Sequence, residues 1–117
     1  MTRIARSFEF CSSHRLLSLP ADHKCHRHHG HNYVAWVTLE GEPDERGLVM
    51  DFGEIAKAWA PLGAILDHNH LNDIGGLEIP SSERLARWIL DGLVDALPLL
   101  HSVRVCETAH SWAEVLR

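Results

Sequence analysis

Two long segments of this sequence alternate their side chains with a period of two residues, which is the pattern of β-strands whose two faces differ. The first runs from Ile4 to His14, and one of its faces carries Phe8, Phe10, Ser12 and His14. The second runs from His29 to Glu40 and has apolar side chains on both faces. A sheet in a small domain usually turns one polar face to water. The doubly apolar strand therefore favours a second packing surface, such as another subunit.

Helical spacing follows the two strands. Asp51 and Glu54 form a capping-box pattern, and apolar side chains then recur every three or four residues. Pro61 interrupts this stripe, so we expect the helix to be broken or kinked there. Ser81 or Ser82 can cap a second helix. Its apolar positions are Leu85, Ile89, Leu93 and Leu97.

Two short alternating segments close the chain, from Val103 to Glu107 and from Trp112 to Leu116. The element order is therefore ββααββ, which predicts the α+β fold class. No repeat, linker or low-complexity tract divides the 117 residues. We expect residues 1–117 to form a single domain.

Composition and charge exclude several classes of protein. The hydrophobic fraction of 45% is too high for a disordered chain, and no apolar run approaches the ~20 residues of a membrane span. The net charge of −5 argues against a protein that binds nucleic acid or an anionic membrane. The first twenty residues lack the apolar core of a secretory signal, so the expected location is cytoplasmic.

Ten histidines are the abnormal part of the composition, and five of them lie close together at His23, His26, His28, His29 and His31. His29 and His31 are two residues apart, so on a strand both imidazoles project from the same face. If the two strands pair, His14 supplies a third nitrogen and leaves an open fourth position, as in a catalytic zinc site. Iron, cobalt or copper suits the same ligands. The alternative to a metal site is that His29 and His31 are a surface pair in a histidine-rich loop. We expect the other three histidines to be solvated or to face a substrate.

Cys25 lies on the connection that enters the second strand, four residues before the H-x-H pair. A cation nearby, together with Lys24 and Arg27, would favour its thiolate and make it a general base or nucleophile. An ordinary small buried residue is the alternative. The odd number of cysteines and the absence of a C-x-x-C pair argue against a disulfide framework. We expect Cys11 and Cys106 to be small buried residues of their strands.

Two acidic residues complete the candidate chemistry. Asp67 precedes His68, and a carboxylate beside an imidazole can fix its tautomer for acid–base catalysis. A histidine at a helix end can instead be only a partner of the helix dipole. Glu107 ends an apolar strand, where a carboxylate can accept two N–H bonds from the guanidine-like edge of a pterin or guanine. A strand-end residue in water is the alternative for Glu107.

Several motifs occur together and in order along the chain. They are Phe10-x-x-x-His14-Arg15-Leu16, Cys25-x-x-x-His29-Gly30-His31-Asn32-Tyr33, Asp51-Phe52, Leu66-Asp67-His68, Leu71-Asn72-Asp73, Pro80-Ser81-Ser82-Glu83 and Glu107-Thr108. In this combination the sequence resembles the family of the 6-pyruvoyl-tetrahydropterin and 6-carboxy-tetrahydropterin synthases. The resemblance implies a T-fold (tunnelling fold) with a four-stranded antiparallel sheet and two helices on one face. It also implies an oligomeric barrel, commonly a homohexamer built as a dimer of trimers.

The same resemblance implies roles for individual residues. The family's zinc ligands correspond to His14, His29 and His31. Its catalytic residues correspond to Cys25, Asp67 and His68. Because the family's sites lie at subunit interfaces, the cysteine and the Asp–His pair of one site would come from different chains.

Substrate contacts are implied as well. The pterin-anchoring glutamate of the family corresponds to Glu107, and Thr108 with the Ser81–Ser82 segment corresponds to the pterin pocket. The basic residues close to the expected metal can contact the phosphates of a small-molecule substrate. These are Arg15, Lys24 and Arg27.

Within the family, the gap of four residues between Cys25 and His29 resembles the bacterial 6-carboxy branch, since the pyruvoyl branch typically has a longer one. That branch is a lyase. It converts 7,8-dihydroneopterin triphosphate to 6-carboxy-5,6,7,8-tetrahydropterin, acetaldehyde and triphosphate, on the route to 7-deazapurines such as queuosine. The alternative within the family is a 6-pyruvoyl-tetrahydropterin synthase, which eliminates triphosphate from the same substrate. The alternative of another class is a non-catalytic module that binds zinc or a pterin.

Overall fold

The structure is a computed structural model that describes residues 1–117. Its elements in chain order are β1 (Thr2–His14), β2 (His29–Gly41), α1 (Phe52–Leu66), β3 (Asn69–His70), α2 (Ser82–Leu93), β4 (Leu100–Thr108) and β5 (Ser111–Leu116). The strands form one sheet in the order β3-β1-β2-β4-β5. The four predicted strands pair as antiparallel neighbours, and both predicted helices are present. The α+β class predicted from the sequence is confirmed.

The predicted order ββααββ and the four-stranded sheet are wrong in one place, because β3 adds a fifth strand of two residues. β3 pairs in parallel with Ser12 and Ser13, which makes the sheet mixed rather than wholly antiparallel. Two residues have no apolar alternation from which a strand could be predicted. The added strand holds the segment that follows α1 against the end of β1.

Both helices begin where the sequence indicates. The Asp51 side chain caps α1 by accepting a backbone N–H of the first turn, and the Ser81 hydroxyl does the same for α2. The break expected at Pro61 is absent, since α1 is continuous to Leu66. Pro61 and Lys57, whose carbonyl loses its helical partner, both lie on the exposed side of the helix, where water can replace the lost bond.

The core lies between the helices and one face of the sheet, which we call the inner face. Phe10 pairs with Tyr33 across β1 and β2, and the two rings stack with their centroids 5.0 Å apart. Trp59 of α1 packs on the same layer, with its ring centroid 4.9 Å from that of Phe8. Burial of each such side chain stabilises the fold by about 1.5–3 kcal/mol.

The opposite face of the sheet, which we call the outer face, carries Trp36, Arg104 and Trp112 and is covered by no helix. Trp36 keeps 41% of its surface exposed. Trp112 keeps 55% exposed, although the Arg104 guanidinium lies 3.9 Å over its ring. The chain thus has an apolar surface on the side of β2 that faces away from its own core.

Neither helix has the length and apolar character needed to cross a membrane.

Candidate metal centre

Three histidines meet at the inner-face end of β1 and β2. The strand register places His14 opposite His29, and His31 follows two residues later on the same face of β2. The Nε2 atoms of His14 and His29 are 2.9 Å apart. One ring nitrogen from each of the three histidines lies within 4.8 Å of the others. The structure therefore brings together the three residues that the sequence predicted as metal ligands.

Backbone carbonyls orient two of these rings. His14 donates from Nδ1 to the carbonyl of Pro80 at 2.8 Å, and His29 donates from Nδ1 to the carbonyl of Arg27 at 2.7 Å. A ring that carries its proton on Nδ1 presents a lone pair at Nε2. A metal-binding histidine usually donates such a hydrogen bond from the ring nitrogen that does not bind the metal.

The third histidine supplies a direct test of whether the site fits a metal. His31 Nε2 is buried and has no hydrogen-bond partner. An unpaired buried nitrogen is costly unless an ion binds it. Three converging imidazole nitrogens with an open fourth position fit a divalent transition metal such as zinc.

The surroundings also favour the neutral, metal-binding form of His14 and His31. Burial lowers the pKa of His14, and the neighbouring His29 and His31 lower it further. Burial likewise lowers the pKa of His31. A neutral imidazole is the form that binds a metal, so protons compete less for this site than for an exposed histidine.

Glu107 lies beside the triad rather than in open water. Its carboxylate oxygens are 3.9 Å from His14 Nε2 and 4.0 Å from His31 Nε2, and 26% of its side chain is exposed. It also lines a cavity of about 670 Å³ together with Ser81, Ser82 and Trp112. The structure therefore joins the predicted pterin anchor, the Ser81–Ser82 segment and the metal ligands in one region.

Thr108 does not reach this cavity. It is exposed at the turn between β4 and β5, where its hydroxyl accepts the backbone N–H of His110 at 3.1 Å. Within one chain, the residue predicted to line the pterin pocket stabilises a turn.

Cys25 lies on a short 3₁₀ turn, Lys24–His26, between β1 and β2. His23 Nδ1 accepts the backbone N–H of Cys25 at 3.0 Å, and the carbonyl of Cys25 accepts the N–H of Leu16 at 2.9 Å. The thiol is partly buried. His23 is exposed, as expected, and its ring also caps the turn that carries the cysteine.

The basic residues around this turn differ in their exposure to solvent. Lys24 and Arg27 are exposed. Arg15 is partly buried, and its Nε donates to the carbonyl of His26 at 3.1 Å. Of the three predicted phosphate contacts, Arg15 thus supports the loop with one of its donors.

Asp67 and His68 lie in contact with each other outside the triad. Asp67 Oδ2 is 3.0 Å from His68 Nδ1. The backbone of Cys11 binds both residues. Its N–H donates to Asp67 Oδ1 at 2.9 Å, and its carbonyl accepts the backbone N–H of His68 at 2.6 Å. These contacts, first the Cys11 N–H and then His68, hold the pKa of Asp67 below its ordinary value. His68 has a φ of 57°, a left-handed conformation that is uncommon for a residue other than glycine.

This pair opens onto a different part of the molecule. His68 lines a cavity of about 320 Å³ with Cys11, Gly30 and His70. No residue of that cavity also lines the larger one beside Glu107. The metal ligands line neither cavity and project from the inner face of β1 and β2, whereas Cys11 and Gly30 occupy outer-face positions. The Asp67–His68 pair of a chain therefore opens on the other side of the sheet from its own triad.

The structure corrects one expectation and adds contacts that the pattern did not indicate. Cys11 is exposed and Cys106 is partly buried, so neither is the fully buried residue predicted. Their side chains leave β1 and β4 on the outer face, which has no helical cover. His28 stacks on His70 with ring centroids 4.3 Å apart, and Asn72 binds the backbone of Arg15. No local pattern indicates such long-range contacts.

A family model described as 6-pyruvoyl tetrahydropterin synthase matches residues 3–117. The chain belongs to this family. It is 43% identical over 117 residues to the 6-carboxy-5,6,7,8-tetrahydropterin synthase of Synechocystis sp., and the match covers 94% of this chain and 89% of that protein. It is 32% identical over 127 residues to the human 6-pyruvoyl tetrahydrobiopterin synthase, with 91% of this chain and 85% of that protein covered.

A solved structure agrees with the family assignment. The 6-pyruvoyl tetrahydropterin synthase of Caenorhabditis elegans superimposes with a TM-score of 0.90 at 26% identity, covering 99% of this chain and 95% of the other. The T-fold predicted from the sequence is confirmed. As a member of this family the chain is an enzyme, a lyase that acts on a pterin.

Proposed function

We propose that this family member is a zinc-dependent 6-carboxy-5,6,7,8-tetrahydropterin synthase. It converts 7,8-dihydroneopterin triphosphate to 6-carboxytetrahydropterin, acetaldehyde and triphosphate in the biosynthesis of 7-deazapurines of the queuosine type. The observation that carries the proposal is the set of three converging imidazole nitrogens beside Glu107. The name of the Synechocystis relative and the spacing between Cys25 and His29 support the carboxy product.

His14, His29 and His31 would hold the zinc ion, which supplies a Lewis acid for the hydroxyls of the substrate side chain. Glu107 anchors the substrate by accepting N–H bonds from the guanidine-like edge of the pterin. The carboxylate lies close to the ligand nitrogens, so a pterin bound to it has its side chain directed toward the triad.

Two further groups move protons. Cys25, as thiolate, takes a proton at the side-chain carbon, and His68 acts as the complementary acid or base. Two groups are needed because the reaction both removes and delivers protons. Asp67 holds His68 in one tautomer through its 3.0 Å contact to Nδ1, which directs Nε2 toward the substrate.

Phosphate and pterin contacts complete the proposal. The exposed Lys24 and Arg27 and the remaining donors of Arg15 bind the triphosphate, while Ser81 and Ser82 line the pterin cavity. Thr108 follows Glu107 directly in the chain and is proposed to contact the pterin as well. Over the ~8 Å Debye length at physiological salt, these local charges outweigh the net charge of −5.

We further propose a homohexamer built as a dimer of trimers, with active sites between chains. β1 pairs with β3 only at Ser12 and Ser13, so most of its edge away from β2 is open. β5 has no neighbouring strand on the side away from β4. Two open edges on opposite sides of a sheet allow head-to-tail strand pairing, which closes into a ring. The triad of one chain would then be completed by the Asp67–His68 pair of the neighbouring chain.

One experiment separates the candidate functions. Purified zinc-loaded protein is incubated with 7,8-dihydroneopterin triphosphate, and the pterin product is identified by mass spectrometry, with His29→Ala as the inactive control. A carboxylated pterin together with acetaldehyde supports the proposal. A pyruvoyl product supports the second candidate, 6-pyruvoyl-tetrahydropterin synthase, which the likeness to the Caenorhabditis elegans enzyme favours. The absence of any turnover would contradict both candidates, the second of which is preferred over a non-catalytic module because the chain belongs to a family of enzymes.

A further inference from the structure

Asn72 makes two reciprocal hydrogen bonds with the backbone of a single residue. Its Oδ1 accepts the N–H of Arg15 at 2.8 Å, and its Nδ2 donates to the carbonyl of Arg15 at 2.9 Å. β3 ends at His70, so beyond that point the Asn72 side chain takes the place of a strand backbone at this edge. Only a carboxamide offers both a donor and an acceptor in this geometry.

Arg15 and the next residue hold the turn that carries Cys25. Arg15 Nε donates to the carbonyl of His26, and the Leu16 N–H donates to the carbonyl of Cys25 at 2.9 Å. Two of the three carbonyls on the Cys25 turn are therefore bound by the two residues that directly follow His14. Any movement of residues 15–16 moves this turn.

Asn72 itself is firmly placed. It lies on the 3₁₀ turn Leu71–Asp73, whose first residue, Leu71, has no exposed surface and belongs to the hydrophobic core. The turn follows the segment that bears Asp67 and His68. Asn72 thus connects a core-anchored loop to the segment between the metal ligands His14 and His29.

We infer that Asn72 is a positioning residue, which fixes the Cys25 turn relative to the metal ligands by clamping the backbone of Arg15. It acts through Arg15 and Leu16 and does not contact the substrate. This inference rests on the proposed function for the role of Cys25 in catalysis. The clamp itself rests on four hydrogen bonds that join residues 72, 15, 16, 25 and 26.

The test compares Asn72→Ala and Asn72→Asp with a matched control, Asp44→Ala, in the zinc-loaded enzyme. Asp44 also clamps loop backbone, because its Oδ1 accepts the N–H groups of Arg46 and Leu48 at 2.9 and 3.2 Å. It lies beyond the end of β2 that is far from the histidines. Four quantities are measured: zinc content, kcat, KM, and the rate at which iodoacetamide alkylates Cys25 relative to Cys106, resolved by peptide mass spectrometry.

We expect Asn72→Ala to keep its zinc and its KM while kcat falls by about 10²-fold, the effect of misplacing a reacting group by about 1 Å. Cys25 should be alkylated severalfold faster relative to Cys106, since its turn is released. Asn72→Asp keeps the acceptor for the Arg15 N–H but turns a second oxygen toward the Arg15 carbonyl, which repels it, so both changes should occur in this variant as well. Asp44→Ala should match the wild type in kcat and in Cys25 alkylation.

Two results would overturn the inference. One is an Asn72→Ala enzyme with wild-type kcat and wild-type alkylation of Cys25. The other is a loss of kcat that follows a proportional loss of zinc, which would mean that the clamp serves the metal and not the cysteine. If Asn72→Ala does not fold, Asn72→Asp is judged by the same criteria. If the wild type itself does not turn over the substrate, the proposed function fails, whereas the alkylation rates still decide whether the clamp exists.

Discussion

His14 and His29 face each other across the β1–β2 register with their Nε2 atoms 2.9 Å apart, while a backbone carbonyl binds Nδ1 of each ring. Two neutral imidazoles held in this way direct lone pairs at each other, and lone pairs repel. A cation between them turns this repulsion into attraction. The two carbonyl contacts therefore prepare the rings for a metal before it binds.

Replacement of His29 by alanine should abolish stoichiometric zinc binding. Wild-type protein at a free zinc concentration of 100 Kd should gain about 2.7 kcal/mol of unfolding free energy over the metal-free form, and His29→Ala should gain almost none. Thermal unfolding with and without zinc, together with metal analysis, measures both effects. His110→Ala, which removes an exposed imidazole at the β4–β5 turn, serves as the control. A full zinc complement in His29→Ala would disprove its assignment as a ligand.

Replacement of Cys25 by alanine should abolish turnover and leave the zinc content unchanged. The thiol is proposed to move a proton and is not part of the histidine cluster. Loss of one member of an acid–base pair lowers rates by about 10²–10⁴-fold. Steady-state kinetics with 7,8-dihydroneopterin triphosphate measures the turnover, and metal analysis measures the zinc content. Cys106→Ala is the control for both measurements. A Cys25→Ala enzyme that loses its zinc would show that the cysteine is a metal ligand.

The metal ligands could be predicted from the sequence because the relevant geometry is local. Two residues of the same strand separated by one position share a face, which places His29 beside His31 without knowledge of the fold. His14 required one further step, the pairing of two strands with the same alternation. The burial of His14 and the orphaned nitrogen of His31 follow from the packing around them.

What could not be predicted depends on contacts between distant segments. The carbonyl of Pro80 that orients His14 and the amide of Asn72 that holds Arg15 come from 66 and 57 residues away. The effect of Pro61 depends on which side of α1 meets water, and packing fixes that side. The position of His68 on the other side of the sheet from the triad depends on how the segment after α1 binds the backbone of Cys11.

The ionised form of Asp67 should contribute stability that is lost in acid. Its pKa is held below the ordinary 3.8 by the Cys11 N–H and by His68. Above 3.8 the folded and unfolded chains both carry the charge, so the contribution is complete. Below 3.8 the unfolded chain takes up the proton first, and the contribution declines as the pH falls through the folded-state pKa.

Asp67→Asn isolates this contribution, because the amide oxygen can still accept the Cys11 N–H while the charge is gone. Urea unfolding of both proteins in metal-free buffer, from about pH 6 to about pH 3, measures the difference in their unfolding free energies. The difference should be constant at the upper end and should shrink at the lower end. A difference that grows with acidity would contradict the assigned direction of the pKa shift.

Chains that lack either Cys25 or His68 should rescue each other. Cys25→Ala and His68→Ala are each expected to be inactive as pure oligomers. If one site takes its cysteine from one chain and its histidine from the neighbour, then in randomly mixed oligomers about one quarter of the sites receive both intact residues. Co-expression of the two variants should therefore restore about one quarter of the wild-type activity per site.

The control for this rescue is Cys25→Ala mixed with the double variant that lacks both Cys25 and His68. No pairing of these chains can assemble a complete site, so the mixture should stay inactive. Two different affinity tags, applied in succession, purify the hybrid oligomers and show that mixing has occurred. Hybrids of the two single variants that form and remain inactive would place Cys25 and His68 in the same chain's site, or remove one of them from the reaction. Because the Asp67–His68 pair of a chain opens on the other side of the sheet from its own triad, we expect the rescue to succeed.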